Sequence, residues 1–143
     1  METKEKITIT VEVIINAPVD IVWKKWSTPE DIKRWNNASD DWFTPSAEND
    51  LRAGGKFLYR MEAKDGSFGF DFAGVYDKVK KYQLIAYIIG DGRKVEIDFL
   101  MNGKETIIVE SFVAETTNTV ELQKAGWQSI LNNFKKYVES VKQ

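Results

Sequence analysis

The chain has 143 residues, of which 43% are hydrophobic and 13% aromatic, and this suits one core of ordinary size. It contains no Cys and no His, which excludes disulfides, thiolate or histidine metal sites and Ser-His or Cys-His catalysis. A net charge of −2 offers no basic surface to nucleic acid. Without a bilayer-length apolar run or a signal-peptide core, we expect no membrane insertion and a single cytoplasmic domain over residues 1–143.

The first third of the chain predicts one strand followed by two short helices. Apolar and polar residues alternate over residues 7–15, which is the period of a half-buried strand. Pro18 is typical of a helix start, and residues 28–30 (TPE) repeat that signal. Residues 36–53 are mostly polar and contain Pro45, so we expect a long irregular loop there.

The middle of the chain predicts an antiparallel meander of five strands. The dipeptides at 65–66 (DG), 91–92 (DG) and 102–103 (NG) favour tight hairpin turns and separate apolar runs. Asp71 stands between two phenylalanines, and alternation predicts that it faces solvent. The opposite orientation would place a carboxyl group with a raised pKa in an apolar interior.

The last segment predicts a long amphipathic helix over residues 118–141. Asn118 and Glu121 resemble a capping box at its start, and apolar residues then repeat on one face. Gly126 lies inside this helix, where Gly costs about 1 kcal/mol relative to Ala. Either a close approach to the sheet or room for a ligand beside Trp127 would explain it, and the close approach is the favoured explanation.

These elements assemble most economically into an α+β fold. A curved six-stranded antiparallel sheet, in the order β-α-α-β5-α, wraps around the long C-terminal helix. A twisted sheet cannot contact a straight helix along its whole length, so the gap is either filled by large side chains or left as a cavity.

The candidate ligand-binding residues are large apolar side chains expected to face this gap or the polar loop. They are Trp35, Trp42, Phe43, Phe57, Tyr59, Phe70, Phe72, Tyr87, Phe99, Trp127 and Leu131. Core packing is the favoured role of Phe57, Phe99 and Leu131. Trp42 and Phe43 would either cover the core as a lid or form an exposed interaction patch.

Polar contacts to a ligand are expected from Tyr59, Tyr87 and the indole N–H groups of Trp35 and Trp127, because these side chains join a large apolar body to one donor.

No phosphate site, metal site or cofactor is predicted. The glycines at 54–55 precede a strand, and no Walker-type lysine and hydroxyl follow them. Acidic residues at 40–41, 48 and 50 lack the spacing of a calcium loop and are expected to be solvated. Acid-base catalysis would fall to Asp, Glu, Tyr or Lys, and no converging pair of these is visible, so no catalytic residue is assigned.

Five segments together resemble a known superfamily in the right order along nearly the whole chain. They are residues 17–23 (APVDIVW), 28–30 (TPE) with Trp35, 50–57 (DLRAGGKF), 74–75 (GV) and 126–127 (GW). The chain resembles the START-like SRPBCC superfamily, and within it the homologues of the activator of heat-shock-protein-90 ATPase.

The resemblance implies a helix-grip fold with a deep cavity between the sheet and the C-terminal helix, as in proteins that carry lipids, sterols or polyketides. It implies no catalytic set. The chain departs from the pattern after Trp35, where relatives often have paired tryptophans beside a Gly-Pro and this sequence has Asn36 and Asn37. That departure concerns the cavity entrance.

Three hypotheses for the function follow. The leading one is non-catalytic binding of a small, largely hydrophobic molecule, such as a lipid, polyketide or flavonoid-like compound. The second, from the family resemblance and the Trp42-Phe43 pair, is a co-chaperone that binds a heat-shock chaperone and acts on its ATPase. The third is an enzyme acting on the enclosed molecule, which a buried carboxyl group with a strongly raised pKa would favour.

Overall fold

A computed structural model describes residues 6–140 of the chain. Across these residues the elements are β1 (Thr8–Ile15), α1 (Val19–Ser27), α2 (Pro29–Trp35), β2 (Trp42–Asn49), β3 (Lys56–Ala63), β4 (Gly69–Lys80), β5 (Leu84–Ile89), β6 (Lys94–Asn102), β7 (Glu105–Val113) and α3 (Val120–Ser140). No helix within them is long and apolar enough to cross a membrane.

The strands form one antiparallel sheet in the order β1-β7-β6-β5-β4-β3-β2. Strands β3 to β7 are the predicted five-strand meander, and β1 pairs with β7 from Thr8 opposite Val113 to Ile15 opposite Thr106. The α+β helix-grip fold, with a curved sheet around a C-terminal helix, is therefore confirmed.

The sheet has seven strands in the described part of the chain, so the prediction of six was wrong. The additional strand is β2, which lies inside the stretch expected to be an irregular loop. Strand β2 is an edge strand that pairs only with β3, and its register shifts between Phe43 and Ser46, where Pro45 lies. An edge strand tolerates a proline and polar side chains because one of its sides needs no ladder hydrogen bonds.

Helix α3 begins at Val120, two residues after the predicted start at 118, and its cap lies one residue after the predicted Asn118. The side chain of Thr119, not Asn118, accepts the backbone N–H of Leu122 at 3.1 Å and caps the helix. The predicted helix end near Val141 lies outside the described residues. Leu131, Phe134 and Val138 form the buried face of α3, whereas Leu122 in its first turn is 60% exposed.

The position of α3 over the sheet determines where the interior is open. Its backbone lies close to β1, α1 and α2, whereas β3, β4 and β5 curve away from it. The rings of Trp26, Trp35 and Phe134 fill the space under α1 and α2, with centroids 4.8 to 4.9 Å apart. The first half of α3 and the central strands are therefore separated by a space that backbone packing does not close.

Asp71 is on the outer face of the sheet, as alternation predicts. Its carboxylate is 3.5 Å from the guanidinium of Arg60 on the neighbouring strand. The alternative in which Asp71 enters an apolar interior does not occur.

Candidate ligand-binding cavity

A cavity of about 390 Å³ lies between the first half of α3 and the inner face of β3, β4, β5 and β7. Pockets of roughly 300 to 1,000 Å³ accommodate small organic molecules in proteins. The cavity is present because α3 packs on β1 while the central strands curve away from it. The gap expected from the sheet and helix geometry is thus not filled by side chains.

The walls of the cavity are mostly aromatic. Seven of the predicted ligand-binding residues border it: Trp35, Phe57, Tyr59, Phe70, Phe72, Tyr87 and Trp127. Phe57 is at the centre of the cluster on the sheet, with its ring 4.8 to 5.6 Å from the rings of Tyr59, Phe72, Tyr76 and Tyr87. Ring faces at several orientations therefore meet whatever occupies the space.

Two of the predicted residues are in the packed core and do not border the cavity. Phe99 is 3% exposed and packs edge-on against Trp23 and Trp26 beneath α1. Leu131 is 1% exposed on the buried face of α3. Their apolar character comes from packing, which was the favoured interpretation for both.

Trp42 and Phe43 also lie away from the cavity, at the start of the edge strand β2. The Trp42 ring meets Phe68 and Phe70 edge-on at about 6 Å, and Phe43 is 37% exposed. Trp42 is half-buried and lies on the sheet face of its partner Ala63, whereas Phe43 lies on the opposite face with Glu62. The two residues therefore form neither a common lid nor a common exposed patch.

Gly126 borders the cavity and touches nothing. Apart from its own stretch of helix, a Cβ atom at this position would have no neighbour within 4 Å among the described residues. The close helix-to-sheet approach that was the favoured explanation for this glycine is therefore wrong. What Gly126 contributes is open volume beside the Trp127 ring.

The polar groups at the cavity differ in whether the protein already uses them. The Trp35 indole N–H was predicted to contact a ligand. It donates instead to the carbonyl of Lys25 at 3.0 Å and is therefore not available to one. The Tyr76 hydroxyl donates to the side-chain oxygen of Asn49. Burial raises the pKa of Tyr76 to about 12 and raises the pKa values of Tyr59 and Tyr87 further, so all three phenols stay neutral near pH 7.

Glu110 on β7 is the group that the sequence analysis missed. It is 5% exposed, borders the cavity, and its carboxyl group makes no hydrogen bond or salt bridge with any of residues 6–140. Burial raises its pKa from 4.5 to about 8. The signal was present in the sequence, because alternation places Glu110 on the same strand face as Ile108 and Phe112.

The entrance lies between β4 and α3. Phe70 and Leu122 border the cavity and are 39% and 60% exposed, so they mark its outer end. Nearby, Arg93 donates to the carboxylate of Asp91 at 2.7 Å and to the carbonyl of Val113 at 2.9 Å. The guanidinium is therefore held at the rim by groups of the protein itself.

The loop from β7 to α3 forms the other side of the rim. The Glu115 carboxylate accepts hydrogen bonds from the backbone and side chain of Asn118. Gln123, 8% exposed, donates to the carbonyls of Glu115 and Asn118 and accepts the backbone N–H of Glu115. These bonds fix the loop against the start of α3.

The Asn36-Asn37 departure from the family pattern is built into the opposite wall. Thr44 on β2 donates to the carbonyl of Asn36 at 2.7 Å, and both residues are buried. The side chain of Asn133 on α3 donates to the carbonyl of Trp35 and to the side-chain oxygen of Asn37. Hydrogen bonds thus join α2, β2 and α3 at the position of these two asparagines.

Comparison with protein families supports the resemblance seen in the sequence. The family described as Activator of Hsp90 ATPase homolog 1-like protein matches residues 16–139. The chain belongs to this family. Comparison with functionally curated proteins gives no significant match.

Solved structures of related proteins share the fold over almost the whole chain. An AHSA1-like protein from Aeromonas hydrophila is 43% identical with a TM-score of 0.88, and covers 94% of this chain and 93% of its own. A protein from Cytophaga hutchinsonii is 56% identical with a TM-score of 0.81, over 93% and 92% of the two chains. At 19% identity, a protein from Chromobacterium violaceum shares the fold alone, with a TM-score of 0.83 over 93% and 98%.

Proposed function

We propose that this protein binds a small, largely hydrophobic molecule in the cavity between the sheet and α3. The observation that carries the proposal is the space itself: about 390 Å³ bordered by aromatic rings, with Gly126 leaving room that any other residue would occupy. A helix glycine that packs against nothing costs stability. Volume for a ligand accounts for keeping it.

The energetics permit modest affinity from apolar contact alone. Burying roughly 300 Å² of apolar ligand surface at about 25 cal/mol/Å² contributes approximately 7 kcal/mol before the cost of ordering. That cost consumes half or more of the gain. Apolar contact therefore gives weak binding, and a polar contact is required for tight binding.

The test is a titration of the protein with fatty acids, flavonoids and hydrophobic dyes, followed by amide chemical shifts. We expect the shifts to concentrate at Phe72, Tyr87 and Trp127. Gly126→Leu places a side chain in the open volume and should weaken binding at least about tenfold, since roughly 1.4 kcal/mol corresponds to that factor.

Ala125→Leu is the matched control, because Ala125 neighbours Gly126 on α3 but is exposed and does not border the cavity. It should bind the same compounds as the wild type. The proposal is wrong if no compound shifts the cavity residues, or if Gly126→Leu binds as well as Ala125→Leu.

The family description favours a second candidate, a co-chaperone that acts on a heat-shock chaperone ATPase. The neighbouring rings of Phe68 and Phe70, which are 62% and 39% exposed with centroids 6.1 Å apart, would supply the contact. Measurement of the chaperone's ATPase rate with and without this protein tests it directly. Stimulation that Phe68→Ser abolishes would favour this candidate, and an unchanged rate would exclude it.

Glu110 favours a third candidate, an enzyme that acts on the enclosed molecule. A carboxyl group with a pKa of about 8 can accept or donate a proton near neutral pH. If this candidate is correct, a bound compound is converted by the wild type and remains unchanged with Glu110→Gln, while its affinity is retained. Recovery of unchanged compound from the wild-type protein would contradict it.

A further inference from the structure

Glu110 is an acidic side chain whose neighbours in the sheet are all apolar. Its nearest partners in the sheet are Val11 on β1 and Ile97 on β6, and its neighbours on the same strand face are Ile108 and Phe112. All four are apolar and buried. A carboxyl group in such surroundings keeps access to water only through the cavity and gains no bond within residues 6–140 in return.

Resting on the proposed ligand binding, we propose that the natural ligand is a hydrophobic molecule with one basic nitrogen, and that the Glu110 carboxylate binds this nitrogen as an ion pair inside the cavity. The carboxyl group borders the open volume and is almost completely buried. A cationic ligand would supply the partner that the protein does not.

The charges around the cavity favour a cation over an anion. The titratable or charged groups that face it besides Glu110 are Tyr59, Tyr76, Tyr87, Arg93 and Glu115. Within residues 6–140, Arg93 is the one cation among them, and its guanidinium already donates hydrogen bonds to Asp91 and Val113. An anionic ligand would therefore meet Glu110 without a free positive partner.

The aromatic walls favour the same class of ligand. Indole and phenol rings attract cations at their faces, and rings of Trp35, Tyr87 and Trp127 border the cavity together with Glu110. Aromatic faces combined with a carboxylate are a chemically suitable environment for an alkylammonium group. A neutral hydrogen-bond acceptor would use the carboxyl group but not the ring faces.

The protons balance in a way that can be measured. An alkylamine is protonated in water near pH 7. Glu110 in the empty cavity, with a pKa of about 8, is also mostly protonated at that pH. Formation of the ion pair keeps the proton on nitrogen and releases the carboxyl proton to solvent. Near pH 7 the binding heat should depend on the ionisation enthalpy of the buffer, with close to one proton released.

The experiment uses three probes with one naphthylethyl skeleton that ends in an amine, an alcohol or a carboxylate. Isothermal titration compares wild type, Glu110→Gln and the control Glu96→Gln. Glu96 is exposed on the outer face of β6, so its variant makes the same Glu-to-Gln substitution away from the cavity. All variants are first checked for native amide spectra.

We expect the wild type to bind the amine at least about tenfold more tightly than the alcohol, with the carboxylate weakest, since one charge-assisted contact contributes about this factor. Glu110→Gln should remove the preference for the amine and leave alcohol binding within about threefold. Glu96→Gln should bind like the wild type.

The inference is overturned if the wild type binds the amine no better than the alcohol, if Glu110→Gln keeps the preference, or if amine binding releases no proton. Because the pH and buffer series uses the wild type, it decides the matter even if Glu110→Gln does not fold. Alcohol binding at the cavity without an amine preference would leave the proposed function standing. Absence of binding by all three probes would overturn both.

Discussion

The Trp127 ring lies flat on the Phe112 ring, with centroids 3.9 Å apart and planes 13° apart. This stack joins α3 to β7 at the cavity. The Trp127 ring is also close to perpendicular to the Phe72 ring on β4, with 6.1 Å between centroids and 81° between planes. The Trp127 indole thus contacts both β7, which lies close to α3, and β4, which curves away from it. Phe112, on which it stacks, is two residues along β7 from Glu110.

Replacing Trp127 should weaken both the fold and the cavity. We expect Trp127→Ala to lower the free energy of unfolding by about 3 kcal/mol, because it removes buried ring area and the stacking contact. Trp127→Phe keeps a ring on Phe112 and should cost less than about 1.5 kcal/mol. Urea denaturation followed by far-UV circular dichroism measures both, and equal losses for the two variants would contradict the role of the stack.

Gly126→Ala should stabilise the protein and impair binding at the same time. Alanine in a helix is favoured over glycine by about 1 kcal/mol, and the new methyl group meets no atom. The methyl group also takes volume from the cavity, so affinity for the largest probes should fall. Thermal unfolding and titration of the same variant test the two effects, and a gain in stability without any loss of affinity would show that ligands do not reach this part of α3.

Ala125, the exposed residue beside Gly126, provides the matched control for these two opposite effects. Ala125→Gly should lower the free energy of unfolding by about 1 kcal/mol, through the same difference in helix propensity, and leave affinity unchanged. A change in affinity with this variant would mean that helix stability, and not cavity volume, controls binding.

Glu110→Gln should change how stability depends on pH. The Glu110 pKa is 4.5 in its ordinary state and about 8 when buried, so between these values the unfolded chain binds fewer protons than the folded one. The stabilising contribution of protonated Glu110 is complete below pH 4.5 and is lost as pH rises to about 8. The loss is up to about 1.4 kcal/mol for each pH unit in this window.

The variant lacks this titration, so the wild type should lose stability relative to Glu110→Gln as pH rises from 5 to 8. Urea denaturation of both proteins at each pH gives the difference in the free energy of unfolding. Because all other groups titrate in both proteins, a difference that is constant with pH would exclude a buried, protonated Glu110.

Thr44→Val tests the hydrogen bonds at the wall formed by α2 and β2. The substitution keeps the shape of the side chain but leaves the buried carbonyl of Asn36 without its donor. We expect a loss of about 1 to 3 kcal/mol in the free energy of unfolding. Thr10→Val removes an exposed hydroxyl pair with Ser111 and should cost no more than about 0.5 kcal/mol. Similar losses in the two variants would show that burial of the Asn36 bond is unimportant.

Patterns of apolar spacing predicted most of the fold. The hairpin dipeptides and the alternation of the strands placed the meander, and the helical period placed the start of α3 within two residues of Val120. Strand β2 could not be predicted in this way because Pro45 and its polar neighbours are typical of a loop. Only the pairing with β3, a contact between separate parts of the chain, makes that segment a strand.

The candidate site was predicted in outline but not in its chemistry. Aromatic residues on the sheet were placed correctly at the cavity, whereas Phe99 and Leu131 have the same apolar character and lie in the core. Which large side chains border the cavity depends on how far each strand lies from α3. Apolar spacing in the sequence does not predict this separation. Glu110, by contrast, could be predicted, because strict alternation along β7 turns it inward.

The edge strand β2 has a consequence for association between chains. A free sheet edge offers unpaired backbone groups to a strand of another molecule, and proteins that leave such an edge open tend to assemble into fibres. At Pro45 the backbone has no N–H to offer, and the register shift beside it breaks the regular spacing of the remaining groups. Pro45, which made this segment resemble a loop in the sequence, thus makes the β2 edge of the sheet less able to pair with a strand of another molecule.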